Sequence, residues 1–117
     1  MPQYMLLLRG STTRGEDLGP EEIQAIIGRY MAWSQALREK NRLLGGEKLH
    51  DRSGRVLSRA ATGQVVLRDG PFAETKETIG GYFLLECRDY DEAVELARTC
   101  PHLELCGTIE VRQIEEV

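Results

Sequence analysis

Cysteine is scarce in this chain and odd in number: Cys87, Cys100 and Cys106 are all there are. No charged n-region followed by an apolar h-region opens the sequence, so a disulfide framework is not expected and reduced thiols are. Long hydrophobic runs are missing too. Met5-Leu6-Leu7-Leu8 falls far short of the roughly 18 apolar residues that read as a membrane span, and the expected place is the cytoplasm, with no membrane partner. An excess of basic charge is also lacking, since the formal net charge is -4 and the pI about 5.2. Phosphate backbones demand a concentrated Lys/Arg surface, so nucleic acid is not expected as a partner. P-loop, Rossmann glycine fingerprint, nucleophile elbow and zinc-protease motif are all missing, as are repeats, and no cofactor is expected. Thiolates and imidazole in the stretch from Cys100 through His102 to Cys106 suit zinc. That spacing matches no closed site and shows no fourth ligand, so cysteine as a small buried apolar residue is the simpler role.

What is present is the balance of an ordinary globular protein, with 41% apolar and 29% charged residues. A length of 117 residues predicts one domain over 1–117. Tyr4 to Leu8 reads as a strand buried on both faces. Pro20-Glu21-Glu22 opens a helix, with proline at its first position and carboxylates at the positive end of the dipole. Ile23, Ile26, Ile27, Tyr30, Trp33 and Leu37 form its apolar stripe, and the spacing predicts a helix to about Leu44, stopped by Gly45-Gly46. Trp33 and Tyr30 read as core residues. A short strand is expected over 47–50, then a hairpin with arms over 55–58 and 64–68 turning near Ala61-Thr62-Gly63, and a shaped loop at Asp69-Gly70-Pro71-Phe72. Tyr82 to Leu85 is a second double-faced strand. Asp89 and Glu92 form a capping-box pattern before a second helix, and Thr108 to Ile114 is the last strand. The order is that of an α+β ferredoxin-like βαββαβ fold with an inserted β-hairpin.

Two helices can cover one face of a four-stranded sheet, yet two of its strands are apolar on both faces. A bare second face would expose several hundred square ångströms of apolar surface, on the order of the largest patch on soluble monomers. A second copy packed sheet to sheet is the economical cover, so a homodimer is expected, enclosing a partly desolvated cavity suited to a small molecule.

The string Asp69-Gly70-Pro71-Phe72-Ala73-Glu74-Thr75-Lys76-Glu77, followed by Ile79-Gly80-Gly81-Tyr82, resembles the DGPF branch of the YCII-related family. Tyr4-Met5-Leu6-Leu7, Gly46-Glu47-Lys48-Leu49, Asp91-Glu92-Ala93, Pro101 and Glu110-Val111-Arg112 extend the resemblance over nearly the whole chain. It implies a dimeric α/β barrel built from ferredoxin-like protomers. Bacterial genes of this branch often lie beside extracytoplasmic-function sigma factors, which implies a role near stress-responsive regulation, with a sigma factor as a candidate partner. One activity in the wider family is dehydrochlorination of a chlorinated hydroxyhydroquinone, attributed to a His-Asp pair with the histidine in the first helix. The position matching that histidine is Tyr30, and neither histidine of this chain lies in that helix.

The residues offer their own candidates. A carboxylate such as Glu86, ending an apolar central strand, is held toward its protonated form if burial leaves it unpaired, which suits a general acid or base. Its competing role is an ion pair with Arg112 or Arg88. Arg112 is that partner or an anion clamp. His50 beside Asp51 suggests a general base, although neighbours on a strand point to opposite faces and an exposed strand-end histidine is the simpler state. Asp69 organises a turn or binds substrate; Glu74 and Lys76 bind a polar substrate or pair with each other; Tyr82 shares the Glu86 face. Three roles fit. One is a small cofactor-independent enzyme of lyase or isomerase type, acting on a polar or aromatic metabolite in the dimer cavity through Glu86 or His50. The others are a non-catalytic ligand-binding or regulatory module, and an interaction subunit for a partner protein.

Overall fold

The computed structural model describes residues 1–10, 18–50, 53–70, 78–105 and 107–117; the expectations for Asp51, Pro71, Phe72, Glu74, Lys76 and Cys106 fall outside them. The elements run β1 (Gln3–Gly10), α1 (Pro20–Glu39), β2 (Leu43–Lys48), β3 (Arg55–Arg59), β4 (Val65–Asp69), β5 (Thr78–Glu86), α2 (Tyr90–Arg98), α3 (His102–Leu105) and β6 (Gly107–Gln113). The order in the main sheet is β2-β5-β1-β6, antiparallel throughout, while β3 and β4 form a separate hairpin. This is the ferredoxin-like arrangement with an excursion between its second and third sheet strands. The sheet stays open in the single chain.

Pairing register assigns the faces. Tyr4 lies between Leu85 and Gln113, Leu6 between Phe83 and Val111, and Leu8 between Gly81 and Ile109. Tyr4, Leu6 and Leu8 are buried, and the first two join Leu85, Trp33, Leu37, Cys87, Ala93, Ala97 and Cys100 in the core, so this face lies under the helices. Trp33 meets Phe83 edge to face at 4.9 Å, and its indole N–H donates to Thr99 Oγ1 at 2.8 Å. The amphipathic ring is thereby apolar on one side and satisfied on the other. Buried residues of α1 are confined to Trp33, Ser34 and Leu37, whereas Ile23 and Ile27 are exposed. The early part of the expected stripe therefore lies outside the buried core, which α1 enters only from Trp33 onward.

The end of α1 differs from expectation. Lys40 caps the helix and Asn41 follows in the left-handed region at φ 59°. The Arg42 N–H donates to the Leu37 carbonyl at 2.9 Å and the Asn41 N–H to that of Arg38 at 2.9 Å, which together form a Schellman closure. Gly45 and Gly46 therefore do not stop the helix; they lie in β2. A Cβ on Gly46 would sit 2.6 Å from both Phe83 Cδ1 and the Tyr82 carbonyl oxygen, so the glycine allows β2 to approach β5. The start of α2 follows its sequence signal: the Glu92 N–H donates to Asp89 Oδ1 at 2.9 Å, and Glu92 Oε1 accepts from the Arg88 N–H at 2.9 Å. The backbone bond from Arg88 is the main reason the Glu92 carboxyl titrates below its usual value, with Arg42 and Arg88 adding to it against the opposing effect of burial.

Candidate functional site

Alternation puts Met5 and Leu7 of β1 on the face opposite the helices. Register then carries this face across the sheet. Glu47, Tyr82, Leu7 and Glu110 form one row, and Gly45, Leu84, Met5 and Arg112 the next, with Glu86 opposite Gln3 beyond them. Tyr82, Leu84, Glu86, Glu110 and Arg112 thus share one face, a point that strand spacing alone leaves open. Met5, Leu7, Tyr82, Leu84, Glu86 and Glu110 are all half-buried in the single chain.

This open face is electrostatically polarised. On the β1–β6 side, Arg9 Nη1 donates to Glu110 Oε1 at 3.0 Å and Arg112 Nη1 to Glu110 Oε2 at 3.4 Å. Two guanidiniums on one carboxylate leave an excess of one positive charge. On the β2–β5 side stand Glu47 and Glu86, which form no ion pair among the described residues. Between them runs the apolar strip of Met5, Leu7, Tyr82 and Leu84. Of the two roles open to Glu86, the ion pair with Arg112 or Arg88 is not made among the described residues: Arg112 pairs with Glu110, and Arg88 with Glu92 at 3.4 Å. Glu86 and Arg112 share the face but lie two strands apart, roughly 10 Å or more at ordinary strand spacing.

The remaining candidates do not converge with this group. Asp69 closes β4, with Oδ1 taking Arg55 Nη1 across the hairpin at 3.5 Å in solvent. His50 is exposed beyond β2. A depression of about 490 Å³ lined by Met1, Pro2, Gln113, Ile114, Glu115 and Glu116 contains none of them.

Sequence reasoning missed a second polar centre on the helix side. His102, only 6% exposed, sits in the single turn of α3. Its Nε2 lies 2.9 Å from the Arg9 carbonyl oxygen and its Nδ1 3.0 Å from the Tyr30 hydroxyl. A carbonyl can only accept, so Nε2 carries a proton, and in the neutral ring Nδ1 accepts from Tyr30. With both nitrogens engaged, His102 is not placed as a zinc ligand, and among the described residues no group of three His, Cys, Asp or Glu side chains converges on a metal position. Pro101 directly before an apolar-flanked histidine was the available signal, but its partner lies 72 residues away in sequence. Burial pushes the Cys87 thiol up to about 11, with the Glu92 carboxylate adding to the effect; burial likewise pushes Cys100 to about 11, against a backbone hydrogen bond from His102. Neither thiol is a ready nucleophile.

The model of the YCII-related domain matches residues 3–117. The chain belongs to the YCII-related family. An uncharacterised protein of Rhizobium meliloti (strain 1021), R00369, is 40% identical over 57 residues, which are 48% of this chain and 46% of that protein. The match therefore spans about half the length of that curated relative. Among solved structures, 5-chloro-2-hydroxyhydroquinone dehydrochlorinase from Burkholderia phenoliruptrix AC1100, in complex with 2,5-dihydroxybenzoquinone, superposes with a TM-score of 0.50 over 98% of this chain and 95% of that one, at 15% identity. At that identity the likeness shows the fold, which for this neighbour is the dimeric α/β barrel. In the YCII-related chain no described helix is long and apolar enough to cross a membrane.

Proposed function

We propose that this YCII-related protein is a small cofactor-independent enzyme of lyase or isomerase type. It acts on a small aromatic or polar metabolite held against the open sheet face, which a second copy of the chain covers. The polarised face supports this reading. An apolar strip receives the ring of a flat molecule, the Arg9–Glu110–Arg112 group attracts an anionic or enolate oxygen, and Glu86 stands on the opposite side to take or give a proton. Removing water from the strip by dimerisation strengthens each of these polar interactions. Asp69, His50, Glu74 and Lys76 are assigned no step.

A second reading moves proton transfer to Tyr30 and His102. Their hydrogen bond favours it: the imidazole can draw the Tyr30 proton onto Nδ1 while the Arg9 carbonyl holds the Nε2 proton in place. The two readings separate by mutation. The probe is 2,5-dihydroxybenzoquinone together with small hydroxylated aromatics, read by the thermal shift each gives to the folded protein, followed by turnover assays on the binders. Binding that is weakened in Arg112→Ala, with turnover lost in Glu86→Gln and kept in Tyr30→Phe, supports the open-face site. Turnover lost only in Tyr30→Phe moves the chemistry to the helix side. Saturable binding without turnover in the unaltered protein overturns the enzyme reading in favour of a ligand-binding module.

A further inference from the structure

The hairpin β3–β4 is the part of the molecule that its own fold explains least. Its pairing sets Leu57 opposite Leu67 and Arg59 opposite Val65, so these four side chains share one face. Leu57 is 67% exposed, Leu67 61% and Val65 56%. The two strands pack on each other and on no other element to a comparable degree. A lone two-stranded hairpin is marginal in water, and native sequences rarely leave paired β-branched and leucine side chains bare.

We infer that the hairpin is an arm that lies on a second copy of this chain and completes that copy's site. This inference rests on the dimer of the preceding reading. The arm's three arginines, Arg55, Arg59 and Arg68, stand against one acid, Asp69, on a chain whose net charge is -4. Arg59, near the tip, donates to the Gly63 carbonyl and makes no ion pair among the described residues. Glu47 is exposed on the edge strand β2, on the open face, and is likewise without an ion pair among the described residues. The arm reaches the partner's β2–β5 margin. There Leu57, Val65 and Leu67 extend the apolar strip past Tyr82, and Arg59 meets the partner's Glu47. Two-fold symmetry makes the contact twice, one arm on each copy. It also covers the β2 edge, whose unpaired backbone groups are otherwise open to stray pairing. The partner sheet covers the centre of each face and the arm walls its acidic margin, so neither copy has a complete site alone.

The test is a dilution series of the full chain followed by light scattering, giving the dimer dissociation constant. Leu57→Asn with Leu67→Asn is expected to weaken the dimer about tenfold or more, the effect of about 1.4 kcal/mol. The core melt of the isolated protomer stays unchanged, because both residues are exposed and outside the core. Arg59→Glu is expected to weaken the dimer, and adding Glu47→Arg to restore it. A Leu57/Leu67 variant that dimerises as tightly as the unaltered chain overturns the arm while leaving the sheet-to-sheet dimer standing. Weakening by Arg59→Glu that Glu47→Arg does not reverse overturns the assigned contact. An unaltered chain that stays monomeric at every concentration overturns the dimer reading, and the arm with it.

Discussion

Two buried thiols set a limit on the protein's alkaline stability. Cys87 and Cys100, both buried and both pushed up to about 11, remain protonated in the folded chain at pH values where an unfolded cysteine, with its ordinary value of 9.0, has begun to ionise. A raised folded value contributes stability that is fully present below the unfolded value and is lost as pH rises through the folded one. The urea midpoint is therefore expected to fall between about pH 9 and 11. Tyr4 steepens the fall from its own higher ordinary value, since burial first, and the Asp89 carboxylate second, raise it as well. Replacing both cysteines by alanine should lower the neutral midpoint by leaving cavities and flatten the alkaline slope. An unaltered slope in that variant would show that the thiols do not set it. At this scale much of the site could be read from sequence: strand alternation groups Tyr82 with Glu86, and Glu110 with Arg112. That the two pairs share a face depends on β1 lying between β5 and β6, which the sequence of either strand alone does not contain. His102 was not legible as a partner of Tyr30 for the same reason, since the two residues are brought together by α3 packing beside β6 while the His102 ring is tied to the Arg9 carbonyl.

The elements themselves follow local signals closely where the chemistry is specific. Pro20 and the two glutamates after it start α1, Asp89 starts α2, and the hairpin turns where Ala61-Thr62-Gly63 allows, with Gly63 at φ 93°. Gly45-Gly46 has the composition of a helix stop, yet α1 closes earlier, at Lys40 and Asn41. Asparagine tolerates the left-handed region that closes a helix, and of the two glycines Gly46 serves the close approach of β2 to β5 instead. This assignment makes a prediction. Asn41→Gly should leave stability unchanged or raise it slightly, because the same φ of 59° costs glycine nothing. Asn41→Val should lower stability by about 1 to 2 kcal/mol, since a β-branched residue is strained there. Equal melting temperatures for the two variants would mean that the left-handed closure does not hold the helix end.

For the whole molecule, the pattern of two doubly apolar strands beneath a single layer of helices led from sequence to an open sheet face in need of cover, and the fold retains that face. The small exposed hairpin could be placed from its turn and alternation, but its purpose could not, because among the described residues no other element packs on its apolar face to a comparable degree. The proposed dimer would unite these observations: one copy's sheet would supply the cover, and the proposed ligand would sit in what is enclosed. Leu84 stands at the centre of the face, between Gly45 and Met5, and a charge placed there has nowhere to go in a packed dimer. Sedimentation velocity of the unaltered chain and of Leu84→Arg tests this claim most directly. The account predicts a species of twice 13.2 kDa for the first and of a single chain for the second, with the same far-ultraviolet circular dichroism for both. A 13.2 kDa species for the unaltered chain, or a dimer that survives Leu84→Arg, would contradict it.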